Sequence, residues 1–132
     1  MSKLSNKSQI NFSAAEELQK SNHYCSVVHC SYYSCLQLMK HILLYKIGKT
    51  EAEIKADLNF SRDTSHSYMI TQIIIYLKSL NNGSVTLFST NITSLKKLRT
   101  NADYADVDID VDSGKKSILL SHEVNKILQK AL

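Results

Sequence analysis

Residues 22–47 constrain the fold more than any other part of the chain. Tyr24, Val28, Ser31, Cys35, Leu38, Ile42 and Tyr45 follow a heptad-like spacing. Cys25, His29, Tyr32, Leu36, Met39 and Leu43 form a second stripe beside them. Only His23, Ser26, Cys30, Ser34, Gln37 and His41 leave a narrow polar stripe. A helix that is apolar on most sides has to be packed on most sides. The segment therefore predicts a long central helix, ending near Gly48, with the rest of the chain arranged around it.

The remaining sequence can supply such surroundings. It has no Pro and only three Gly in 132 residues, so few positions interrupt a helix. Residues 5–20 predict a first helix, with Ile10, Ala14, Ala15 and Leu18 at helical spacing. Ser13 and Glu16 offer a later start as a capping box, and the earlier start is preferred. Thr50 and Glu53 form another such box, predicting a short helix to about Leu58, followed by a loop from Asn59 to Ser65. His66–Leu80 places Met69, Ile73, Tyr76, Leu77 and Leu80 on one face and ends at Asn81-Asn82-Gly83. Residues 84–103 predict a helix, either continuous or broken near Thr90-Asn91. Asp106–Asp112 alternates acidic and apolar residues and reads as an extended linker. Ser113 or Asp112 would cap a last helix over 114–131, turning Ile118, Leu119, Val124, Ile127, Leu128 and Leu132 inward. The expected class is all-α: one domain over residues 1–132, an antiparallel up-and-down bundle of four to five helices.

Charge and cysteine usage narrow the function classes. The net charge of +4 permits contact with phosphate without requiring it. Cys25, Cys30 and Cys35 step by about 140° around a helix, so they cannot converge on one metal. Reduced thiols in a cytoplasmic protein are expected instead. The N-terminus lacks an apolar signal core, and no run of about 18 apolar residues predicts a membrane span. The run Asp106, Asp108, Asp110, Asp112 lacks the Gly and the final Glu of a calcium-binding loop. No metal or cofactor is expected. Phosphate-binding loops, dinucleotide fingerprints and nucleophile elbows are all missing, which excludes the enzyme classes they mark.

Several features in chain order resemble the HEPN superfamily of small helical proteins. They are Ala14, Ala15 and Leu18; the small-Tyr-Tyr-small run Ser31-Tyr32-Tyr33-Ser34; His66 opening a helix; and Arg99-Thr-Asn-Ala-Asp-Tyr104. The match is to a branch of short stand-alone prokaryotic proteins with an Arg-x-x-Ala-Asp-Tyr motif, and it spans about residues 10–131. The resemblance implies a homodimer that interacts with RNA or a nucleotide. It also implies a place in a toxin–antitoxin or defence pair, beside an antitoxin or a nucleotidyltransferase-like partner. Many relatives are metal-independent RNases whose motif is Arg, four to six residues, then His. Here those positions hold Tyr104, Ala105 and Asp106. A tyrosine with a pKa near 10 moves protons poorly at neutral pH. Binding with weak or absent cleavage is therefore expected; any catalysis would draw on Arg99, Tyr104 and His66.

The expected ligand-binding residues are Arg99, Asp103, Tyr104, Tyr33 and Lys96. Arg99 suits a phosphate or oxyanion, and it equally suits an ion pair with Asp103 one turn on. Tyr104 suits core packing with a bonded hydroxyl. Tyr32 and Tyr33 lie about 100° apart on their helix, so one faces the core and the other a cleft or interface. His29 reads as a buried, satisfied histidine, and His23, His41 and His122 as surface residues. The alternative function is a non-catalytic helical interaction module in which Arg99, Asp103 and Tyr104 are architectural.

Overall fold

The computed structural model describes residues 2–132. It is all-helical, with six helices and no strand among the described residues: α1 Lys3–Lys20, α2 Tyr24–Tyr45, α3 Glu51–Ser61, α4 Ser65–Ser79, α5 Val85–Tyr104 and α6 Val111–Lys130. That is one helix more than the upper expected number. None is long and apolar enough to cross a membrane.

The helix ends follow local chemistry. The Ser2 hydroxyl accepts from the Ser5 amide, which starts α1 early and leaves Ser13–Glu16 mid-helix. Thr50 and Glu53 form the predicted capping box of α3. Thr64 caps α4 by accepting from the Ser67 amide. Asp110 caps α6, two to three residues before the expected caps, because its carboxylate accepts from the Ser113 amide at 2.8 Å. Turns without proline rely on left-handed residues: Asn22, Arg62 and Asn81 have φ of 63°, 57° and 53°, and Gly48 has 86°. One expectation about segments fails: residues 59–61 continue α3 rather than opening a loop. Of the two alternatives for 84–103 the continuous one holds, with α5 unbroken through Thr90-Asn91.

Central helix α2 packs against α1, α4, α5 and α6. Tyr32, Leu38, Met39, Ile42, Ile73, Leu77, Phe88, Ile92, Leu95 and Leu128 are fully buried around it. Each such side chain stabilises the fold by roughly 1.5–3 kcal/mol. Ile10, Tyr45, Leu80, Leu119 and Leu132, assigned to inward faces by spacing, are exposed instead. They sit near helix ends or at the edge of a stripe, where no neighbouring helix reaches.

The predicted polar stripe of α2 is exposed at its start, at His23 and Ser26, and buried further on at Ser34. Small residues fill the seam where α1 and α6 meet α2. The Ser8 hydroxyl donates to the Ser34 carbonyl at 2.6 Å, and the Ser34 hydroxyl donates to the Ser8 carbonyl at 2.7 Å. From α6, the Ser121 hydroxyl donates to the Ser31 carbonyl at 2.7 Å, and the Asn125 amide donates to Ser34 Oγ at 3.0 Å. Cys35 lies fully buried against Ser121, and burial pushes its thiol up to about 12. Gly114 completes the seam: a Cβ there would sit 2.2 Å from Gln19 Oε1 and 3.2 Å from the Tyr24 ring. Short side chains let the helices approach closely, and every seam hydroxyl finds a partner.

Ser34→Ala removes the donor to Ser8 and the acceptor of Asn125, leaving buried polar atoms unpaired. Urea unfolding should show a loss of about 1–3 kcal/mol. An unchanged midpoint would contradict this account of the seam.

Candidate functional site

Because the seam holds Ser31 and Ser34 toward α1 and α6, Tyr32 and Tyr33 turn toward α4 and α5. The α5 side supplies Arg99, which is only 8% exposed. Its Nη2 donates to the Tyr33 hydroxyl at 3.0 Å. Its Nε lies 3.1 Å from Asp103 Oδ2. That contact is ionic only: the N–H is not aimed at the carboxylate, so Nε is buried without a hydrogen bond. The guanidinium carbon lies 5.3 Å from the Tyr32 ring centre, 5.5 Å from Tyr33 and 5.3 Å from Tyr104. Three aromatic faces and one carboxylate thus surround one cation. Burial works against the Arg99 charge, but the Tyr33 hydroxyl and Asp103 more than offset it, and its pKa rises. Nη1 makes no hydrogen bond to the described residues.

Two histidines border this cage. His66, in the first turn of α4, shares a 3.1 Å hydrogen bond between Nδ1 and the Tyr32 hydroxyl. Its pKa is lowered by burial, then by the charges of Arg99 and Lys96, so its imidazole is neutral at pH 7. Burial also raises the Tyr32 phenol well above its ordinary value. His29, one turn before Tyr33, stacks on that ring at 4.5 Å and places Nδ1 3.0 and 3.1 Å from the Asp103 oxygens. The expectation of a buried His29 is corrected: its side chain is 47% exposed. Cys25 and His29, the first two residues of their stripe, are both exposed while Val27 and Val28 beside them are buried, so position 29 reaches a carboxylate rather than the interior.

The structure brings together Arg99, Asp103, Tyr104, Tyr33 and His66, with Lys96 alongside. Lys96 donates to the Ser67 hydroxyl at 2.8 Å, a neutral partner, so its charge is not paired. Tyr104 does not plug the core: it is 74% exposed and covers Arg99 with one face of its ring. Tyr32 is the core-facing tyrosine of the pair and Tyr33 the half-buried one. His29 and Tyr32 were not assigned to the site from sequence. The signal for His29 was its i, i+4 relation to Tyr33, which puts both on one face of α2. Among the described residues, no three His, Cys, Asp or Glu side chains gather as a metal ligand set.

Two outcomes follow from this geometry. Tyr33→Phe removes a hydrogen bond to a charged group and should cost about 1.5–3 kcal/mol in urea unfolding. His66 should titrate by proton NMR with a midpoint below the ordinary histidine value. A lowered folded-state pKa means that the unfolded chain binds the proton more readily. The His66 contribution to stability is thus present above pH about 6.5 and lost as pH falls through the lowered value. His66→Gln should remove that part of the pH dependence.

No family model, curated protein or solved structure matches the chain.

Proposed function

We propose that this chain is a HEPN-like protein, an antiparallel helical bundle that holds RNA or a nucleotide by its phosphates on the surface around Arg99. The observation that carries the reading is a cation with no carboxylate partner: Lys96 bonds only the neutral Ser67 hydroxyl, next to Arg99, whose one carboxylate is Asp103. The Arg99 Nη1 edge and the Lys96 ammonium suit phosphate oxygens. The exposed Tyr104 ring, already stacked on a guanidinium, suits a base. The resemblance supports a homodimer and an antitoxin or nucleotidyltransferase-like partner, in a toxin–antitoxin or defence pair. Three unbridged thiols support a cytoplasmic setting.

Binding, rather than cleavage, is the proposed activity. Position 104 holds a tyrosine, and both nearby imidazoles commit Nδ1 to internal partners, His29 to Asp103 and His66 to Tyr32. RNA incubated with the protein in EDTA should stay intact. Cleavage that disappears in His66→Ala would extend the reading to a metal-independent RNase.

A second reading rests on a different observation. Arg99 is nearly buried and finds its partners within one chain, as an architectural residue would. In that case the chain is a non-catalytic interaction module. Lys96→Ala separates the two readings, because Lys96 bonds only a neutral hydroxyl. Fluorescence anisotropy with a 5′-phosphorylated oligouridylate should show weaker binding and a salt slope reduced by about 1. Tyr104→Ala should weaken binding by roughly 1–3 kcal/mol. No binding by the wild-type protein at low salt would favour the module.

A further inference from the structure

Helix α3 is unlike the other five: none of its residues is buried. It is attached mainly through polar contacts. Asp57 accepts from Lys49 at 2.7 Å and from the Tyr68 hydroxyl at 2.5 Å, and Glu51 pairs with Lys40 at 3.3 Å. Both flanks turn through left-handed residues, Gly48 and Arg62. Beneath α3 lies a cavity of about 380 Å³, walled by α2, α3 and α4. Its apolar surface comes from Leu36, Leu43, Ile54, Leu58 and Met69.

An apolar helix face held over a gap by surface ion pairs is an unusual arrangement in a stable fold. Side chains facing a void lose dispersion contacts that a filled space would supply. The volume lies within the range of small-molecule sites. The chemistry at its edge is also directional. Lys40 is paired with Glu51, whereas Lys55, which also lines the cavity, has no hydrogen bond or ion pair to the described residues. His66, whose pKa burial lowers, also lines the cavity.

We propose that the cavity under α3 is a binding site for a small amphipathic anion, an apolar body carrying one carboxylate. The body lies among Leu36, Leu43, Ile54, Leu58 and Met69, and the carboxylate meets Lys55 at the rim. Helix α3 acts as its lid, hinged at Gly48 and Arg62 and latched by Asp57. The site adjoins the phosphate-binding surface proposed above at His66, but its anchoring group, Lys55, lies outside that surface and the proposal does not depend on phosphate binding.

Decanoate is a suitable probe, titrated into full-length protein labelled with ¹³C at Ile, Leu and Met methyl groups. The Ile54, Leu58 and Met69 methyls should shift saturably with one site per chain, while the Phe88–Ile92 region stays unchanged. Lys55→Gln should weaken binding about threefold, the effect of one lost charge contact at an exposed side chain. Leu58→Trp, which fills the space, should abolish the shifts while leaving the Ile92 methyl in place as a check on folding. Unshifted methyls at saturating decanoate would overturn the proposal. So would shifts spread over all methyls, which signal detergent-like unfolding. Shifts that follow protein concentration instead of decanoate would also overturn it, by assigning the face to a second copy. Oligouridylate binding measured on the same Lys55→Gln protein should be unchanged, so the two sites can fail independently.

Discussion

The reciprocal bonds between Ser8 and Ser34 are the constraint on which the rest of the structure depends. Each hydroxyl donates to the other residue's main-chain carbonyl, so α1 and α2 are locked in register and rotation. Ser121 does the same from α6 to the Ser31 carbonyl. These contacts need short side chains and close helix approach, and they bury polar groups that would be costly if left unpaired. A rotation of α2 by one residue would break all of them together. The orientation of the central helix is thus set by hydrogen bonds on one side, while the other side packs by apolar contact.

The Arg99 cluster is a consequence of that orientation. Ser31 and Ser34 bracket Tyr32 and Tyr33, so clamping the serines to α1 and α6 turns both rings toward α4 and α5. Tyr32 then reaches His66, and Tyr33 reaches Arg99 and stacks on His29. A guanidinium tolerates such burial because it is weakly hydrated and stacks well on aromatic faces. Asp103 balances one positive charge and is shared between Arg99 and His29. With Lys96 added, the surface keeps a positive excess beside an exposed aromatic ring. That combination, more than any single residue, supports the phosphate-binding proposal.

Much of the fold was legible in the sequence. The all-helical class, the central place of α2, the capping box at Thr50 and the breaks near Gly48 and Asn81 all follow from short-range rules. What was not legible was decided by tertiary packing. Spacing places Ser34 in a polar stripe but reports polarity, not hydrogen-bond partners. Ser34 is buried because α1 covers it. Local propensity leaves Thr90-Asn91 open to a break, and the helix continues there because Phe88, Ile92 and Leu95 are buried in the core and override it. Of the site, Arg99, Asp103, Tyr104, Tyr33, His66 and Lys96 do come together. His29 reads as buried because its stripe is apolar elsewhere, but Cys25 and His29 lie on a side of α2 left uncovered. Tyr104 suits core packing by type, yet it lies at the C-terminus of α5 and faces outward over Arg99.

The most direct test is the side-chain ¹⁵N spectrum of Arg99, recorded in the free protein and then with oligouridylate present. A guanidinium held by Tyr33, Asp103 and three aromatic rings should show resolved Nη signals from slow rotation, and these should move when the phosphate engages the Nη1 edge. Averaged Nη signals in the free protein, or unmoved signals while the RNA is bound, would contradict the account.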